Sequence, residues 1–403
     1  MKNEESTSLA GRFFVPSLAV AFFSTWIIES LTGLFLVDVA TTFFGSANPV
    51  ALATTGQLVT ISSVISVLFA VLLGFLSVSH SHKKLLLIGS FSVTLGILGC
   101  FFAPDFLFMQ VFFPIEGIGT VVVGAMAFTL VGEFLVVNRR PRAIGWILAG
   151  NSLAGIAGSI VIGLFFSEGA WRSYLLWFAL PVSIASLAAI YFSIPSTPPQ
   201  ETKTVGKEAY ISSYKQVFLR KSAVSCLIGV MFRQAAFAWV VVYSASFFIQ
   251  QFGLSLALVA LLSLIGGAIF VLAQVVGGHL VQRVGRKRLL VATLGISSPG
   301  LMLVAFIPNL WIVLIINWIG GFIYGMNFPA GISLILEQVP EYRGTMMSMS
   351  TIFVTFGVGL GAALGGIALV VADWTGLLLT FASMQLIAAA VFSFLTEDPC
   401  RTE

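Results

Sequence analysis

Residues 278–290 read GHLVQRVGRKRLL, and four of these thirteen side chains are Arg or Lys. Only 9% of the whole chain is charged. The cluster joins two long apolar stretches, and a weaker partner, GFLSVSHSHKKLLL at 74–87, does the same earlier in the chain. Basic residues gathered in short links between apolar runs are the pattern of loops on one side of a bilayer.

Composition makes lipid the solvent. Apolar residues form 58% of the chain, Phe alone occurs 37 times, and mean hydropathy is +1.03. A water-soluble chain of 403 residues has too few polar side chains here to cover that much apolar surface. A bilayer core of ~30 Å takes about 20 helical residues. Twelve stretches meet this length: 13–44, 50–77, 85–103, 106–137, 143–166, 174–194, 223–250, 254–281, 289–307, 310–336, 346–371 and 377–395. Several exceed it, which predicts tilt or kinks. The first follows the charged segment MKNEESTSLAGR and is too long for a cleaved leader. Cys100, Cys226 and Cys400 are isolated and show neither disulfide nor metal-site spacing.

With Met1 on the cytoplasmic side, alternating loops place Lys2, Arg12, Lys83, Lys84, Arg139, Arg140, Arg142, Lys203, Lys207, Lys215, Arg220, Lys221, Arg283, Arg286, Lys287, Arg288, Arg343 and Arg401 inside. Arg172 falls outside and Arg233 within a span. So one-sided an excess predicts a multi-pass protein of the cell membrane with both termini cytoplasmic. The net charge of +4 speaks for this orientation and not for nucleic acid.

The chain also repeats itself. The two basic loops lie about 204 residues apart, Glu133 corresponds to Glu337 at the same offset, and Trp171 corresponds to Trp374 within one residue of it. The expected organisation is an N-terminal six-helix bundle (1–194), a polar cytoplasmic linker (195–222) and a C-terminal six-helix bundle (223–403). A surface helix is expected within the linker around 210–219. Duplicated six-helix halves suit secondary transport, with the site near the bilayer midplane where the halves meet.

Gly278, Arg283, Gly285, Arg286 and Lys287 resemble the loop signature of the major facilitator superfamily: Gly, three residues, an acid, a basic residue, any residue, Gly and two basic residues. Gln282 stands where an acid is usual. The family's stronger copy normally lies between spans two and three; here that copy keeps Gly74 and Lys83 but has Val78 for the acid and Ser81 for the second Gly. The resemblance covers essentially the whole chain. It implies an all-α membrane fold of twelve transmembrane helices in two pseudo-symmetric bundles, moving a small molecule by alternating access. It also implies that the loop latches the cytoplasmic helix ends through charge-assisted hydrogen bonds. Arg283 and Arg286 with Glu337 are the expected partners, with Arg343 in the same cluster, and the first-half latch is expected to be weaker. That the charges merely obey the positive-inside rule stays open.

A second resemblance lies in spans five and eleven. GAALGG, from Gly361 to Gly366, is similar to the Gly-Pro-x-x-Gly-Gly signature of proton-coupled exporters, with Ala362 for Pro, while GSIVIG at 158–163 keeps the end glycines. Gly357, Gly361 and Gly365 recur every four residues, a ridge that permits close helix approach. Packing glycines and an exporter motif are both compatible with it.

Glu29, Glu116 and Arg233 sit well inside spans. A charge at the bilayer centre costs about 2.5–3.5 kcal/mol on insertion scales, so such residues face a watery cavity or a partner. The repeat maps Glu29 onto Arg233, and in the family spans one and seven face each other. Two readings follow: proton-dependent coupling between them, or a static buried pair. Glu116, three residues after Phe113 where the family places an Arg, is a second proton site or another partner for Arg233. Asp38 reads as an outer-surface residue. Trp26, Asn151, Gln234, Tyr324 and Asn327 add hydrogen-bonding and aromatic groups to an expected substrate cavity with Arg233, one suited to amphiphilic or aromatic solutes.

No nucleotide-binding loop, nucleophile constellation or HExxH spacing occurs, so no enzyme is expected. The reading is a monomeric, proton-coupled exporter of small amphiphilic compounds in a lipid bilayer, needing no cofactor and driven by the proton gradient. The alternatives are a proton-coupled importer of organic anions, with Arg233 on the carboxylate, and a non-transporting receptor of the same fold.

Overall fold

The computed structural model describes residues 11–135, 139–195 and 214–399. Lys2, Lys203, Lys207, Cys400, Arg401 and most of the expected linker fall outside them. Every regular element among the described residues is helical.

Span one is not one helix. α1 (Phe14–Ile27) gives way to a 3₁₀ turn at Ile28–Leu31, and the helix resumes as α2 (Leu36–Phe44). The backbone N–H groups of Thr32 and Gly33 and the Thr32 hydroxyl all point to the Glu29 carbonyl at 3.0–3.2 Å. A broken helix survives in lipid only when its exposed carbonyls find such donors.

The chain continues through α3 (Pro49–Ser79), α4 (His82–Phe102), α5 (Phe106–Phe134) and α6 (Arg140–Phe165). α7 (Trp171–Ser193) and α8 (Lys221–Phe252) follow. These two contain π-helical turns at Leu175–Ala179 and Trp239–Tyr243. Next come α9 (Leu256–Val284), α10 (Arg286–Val304), α11 (Leu310–Gly325), α12 (Asn327–Gln338) and α13 (Arg343–Phe394). α11 and α12 form span ten. α13 holds spans eleven and twelve, separated where Ala372 and Asp373 leave helical geometry, Asp373 at φ 53°. The twelve expected spans are thus accounted for.

Residues 214–219 are helical. α8 begins at Lys221, directly after Arg220, which has an extended conformation.

The chain forms two compact units: Met1–Ser46 with Ile61–Thr202 and Ser255–Leu261, and Ala47–Thr60 with Lys203–Leu254 and Leu262–Glu403. They differ from the two sequence halves by the exchange of 47–60 and 255–261. Within unit 2 the reason for the first exchange is visible. Thr60 Oγ1 donates to the Gly359 carbonyl at 3.1 Å, and any side chain at Gly366 would press on Gln57.

Each unit has its own core. In unit 1, Phe14, Leu18, Val123, Leu130 and Ile147 are buried together with Ile190. In unit 2, Cys226, Leu227, Leu290, Leu334, Met346 and Phe392 do the same. Large apolar side chains also face outward, among them Trp177, Phe192 and Phe394, the surface expected of a helix bundle solvated by lipid. The glycine ridge of α13 works by packing. A Cβ at Gly357 or Gly361 would run into the carbonyl oxygens of Met231 and Ala235 on α8, and one at Gly365 into the Phe381 ring.

Candidate functional site

In unit 2, Arg233 on α8 is 97% shielded. Its Nη1 donates to Asn327 Oδ1, at the start of α12, over 3.0 Å. Its guanidinium carbon lies 4.5 Å from the centre of the Phe328 ring, within cation–π range. The Tyr324 hydroxyl donates to the Arg233 carbonyl. Gly331, one turn beyond Asn327, makes room: a Cβ there would stand 3.2 Å from Nη1. Arg233 Nε and Asn327 Nδ2 have no hydrogen-bond partner among the described residues. Phe237, one turn after Arg233, stacks nearly parallel to Tyr324 with ring centres 6.1 Å apart and meets Phe328 edge-on at 5.3 Å. Arg233, Tyr324 and Asn327 are thus brought together. Gln234 is buried against the ridge at Gly357 instead.

In unit 1, Glu29 is half-buried on the 3₁₀ turn, and Glu116 on α5 is buried with its Oε1 accepting from Thr120 Oγ1 at 2.6 Å. The two acids are near enough to interact electrostatically. Glu116 packs against α4, where Gly96 admits its backbone. Pro114 lies in the same helix. Phe113, at the position of the family's Arg, is buried. Trp26 is half-buried on α1, and Asn151 on α6 has a buried Oδ1 without a partner among the described residues. Asp38 is more than a surface residue, because its Oδ2 accepts from the Gly169 N–H at 2.8 Å.

Glu337 pairs with Arg343 at 2.9 Å, not with Arg283 or Arg286. The 3₁₀ turn Pro340–Tyr342 folds the start of α13 back beside the end of α12, which sets Arg343 next to Glu337. Gln282 and Arg283 are exposed, and Arg286 Nη1 is buried without a partner among the described residues. Gly278 has open space around it. Gly285 has φ 91° and ψ 148°, a region that is essentially glycine-only. The first-half latch, expected to be weak, has a tight contact: His82 Nδ1 lies 2.6 Å from Glu133 Oε1. Lys83 Nζ also donates to the Tyr191 carbonyl at 2.9 Å, and Arg140 closes the end of α5 by donating to the Gly132 and Leu135 carbonyls.

Sequence reasoning missed the Phe237–Phe328 wall, the break around Glu29 and the His82–Glu133 contact. The Thr-Gly pair after Glu29 was a signal for the break. His82 stands at the repeat position of Arg286, which was a signal for the contact.

The model of the Major Facilitator Superfamily matches residues 18–271 and 235–402. The tetracycline resistance protein, class H, of Pasteurella multocida is 25% identical over 340 residues, covering 80% of this chain and 82% of that one. A probable sugar efflux transporter of Helicobacter acinonychis is 25% identical over 366 residues, covering 89% and 88%. Among solved structures, a D-xylose-proton symporter superposes with a TM-score of 0.79 at 15% identity, covering 96% of this chain and 97% of that one, which shows the fold. Family match, twelve apolar spans and fold together lead to one conclusion: the chain belongs to the major facilitator superfamily and is a multi-pass membrane transporter.

Proposed function

We propose that this transporter is a proton-coupled secondary carrier of small amphiphilic organic compounds, working by alternating access as a monomer with both termini cytoplasmic. The observation that carries the reading is the pair of acids in unit 1. Glu29 and Glu116 lie within membrane helices and near one another, where each full charge costs about 2.5–3.5 kcal/mol. A proton taken up by either removes one charge and their mutual repulsion, so the pair is a natural place to load and unload protons. Glu29 sits on the 3₁₀ turn that interrupts the helix of span one, and transporters place interrupted helices at ion and substrate sites. Export is supported by the efflux function in the printed name of the Helicobacter relative and by the degenerate exporter motif at Gly361–Gly366.

The test uses purified protein in liposomes with a trapped pH dye and a panel of aromatic amphiphiles. Substrate addition to wild type is expected to move protons, and the sign of the flux gives the direction. Glu29→Gln is expected to abolish proton movement while substrate still binds, and Glu116→Gln to reduce it. Unchanged coupling in both variants would refute the assignment.

A further inference from the structure

The Arg233 site in unit 2 has a chemical polarity that the transporter reading does not use. An arginine side chain only donates hydrogen bonds. Asn327 therefore turns its oxygen to Arg233 Nη1, and this leaves the buried amide Nδ2 unpaired among the described residues. The two polar atoms of this pair without partners among the described residues, Arg233 Nε and Asn327 Nδ2, are both donors. Asn327 is fully buried and Arg233 nearly so. Among the described residues of unit 2, no carboxylate pairs with Arg233. A buried cation with unused donors and no carboxylate partner within its own unit is costly unless an anion is supplied. A cationic or purely donating ligand would find nothing to accept its hydrogen bonds from this pair.

The wall beside the guanidinium is aromatic. Phe237 and Phe328 are only half-buried, so they retain ring surface, while Tyr324 is pinned by its hydroxyl to the Arg233 backbone. Phe328 already lies against the guanidinium, whose carbon is 4.5 Å from the ring centre. Rings of this kind take up flat apolar bodies by offset or edge-on stacking.

We infer that this site binds the carboxylate of an aromatic organic acid, with Arg233 and Asn327 on the carboxylate and Phe237 and Phe328 against the ring. The inference rests on the transporter reading and narrows its amphiphiles to aryl carboxylates. It does not depend on the direction of transport. The carboxylate accepts from Arg233 Nε and Asn327 Nδ2, and its charge neutralises the guanidinium. Arg rather than Lys suits the site because a planar fork both stacks on Phe328 and donates in its own plane.

Isothermal titration of the full-length protein in lipid nanodiscs tests this with four probes: 1-naphthoate, acetate, sodium sulfate and 1-naphthylmethylamine. Naphthoate is expected to bind at least tenfold more tightly than acetate or sulfate, with no measurable binding of the amine. Arg233→Gln is expected to weaken naphthoate at least tenfold, and Phe237→Ala to weaken naphthoate while leaving acetate unchanged. Asn327→Ala, which keeps the cation, provides a second variant should Arg233→Gln fail to fold, with an expected loss of about threefold or more. Equal binding of amine and naphthoate overturns the inference, as does naphthoate affinity unaffected by both Arg233→Gln and Asn327→Ala, or absent in wild type. The proton-flux assay separates the two readings. Coupled flux of cationic or neutral amphiphiles without naphthoate binding removes this inference alone. Naphthoate binding with proton coupling intact in Glu29→Gln and Glu116→Gln removes the proton assignment alone.

Discussion

Gly285 and Ser81 hold the same place in the two copies of the basic loop and meet its demands differently. Gly285 turns the chain at φ 91° before α10, where a Cβ is strained. Ser81 keeps an extended φ of −65° and offers its hydroxyl to the Lys84 N–H at a long 3.4 Å. Gly285→Ala is therefore expected to destabilise the protein by about 1–3 kcal/mol, and Ser81→Ala by less than about 1 kcal/mol. Thermal unfolding in detergent checks both, and an unaffected Gly285→Ala would contradict the backbone assignment. The acids beside these loops differ in the same way. Glu133 meets His82 at partly buried positions, whereas Arg343, the partner of Glu337, is half exposed. A double-mutant cycle on His82 and Glu133 is expected to show coupling of up to about 1 kcal/mol, and one on Arg343 and Glu337 less. The motif was legible in the sequence, but the choice of Arg343 over Arg286 was not, because the Pro340–Tyr342 turn decides which base reaches the acid.

Among the elements, α13 carries the clearest prediction. Gly361 has no room for a methyl group because the Ala235 backbone on α8 fills the space, while Gly267 on α9 faces open space. Gly361→Ala is expected to cost about 1–3 kcal/mol through overpacking. Gly267→Ala is expected to be neutral or slightly favourable, since alanine is the better helix former. Similar losses at both sites would show that propensity and not close approach governs the ridge. Spacing of four residues revealed the ridge in advance, although the partner helix was not legible. Span one shows the converse. Its length predicts a tilt or kink but not where it falls, and Thr32 and Gly33 supply the donors that let the helix break at Glu29. Hydropathy is blind to this because it counts side chains and not backbone hydrogen bonds.

For the whole molecule, the distribution of basic residues predicts sidedness. With Cys400 replaced by Ser, Arg288→Cys and Glu168→Cys place single reactive thiols at exposed positions, the two described native cysteines being buried. A membrane-impermeant maleimide applied to intact cells is expected to label Glu168→Cys and to spare Arg288→Cys. The reverse pattern would invert the assigned topology.

The sequence alone determined the solvent, the twelve spans, the repeat and the family. All four depend on properties summed over tens of residues, and such sums survive local irregularity. Tertiary structure decided the contacts made by single side chains. Arg233 found Asn327 and Phe328 about ninety residues away in sequence, Glu133 found His82, and residues 47–60 were assigned to the second unit. Each of these depends on how helices are rotated and offset against one another. Close packing of many side chains sets that geometry, and no single segment carries it.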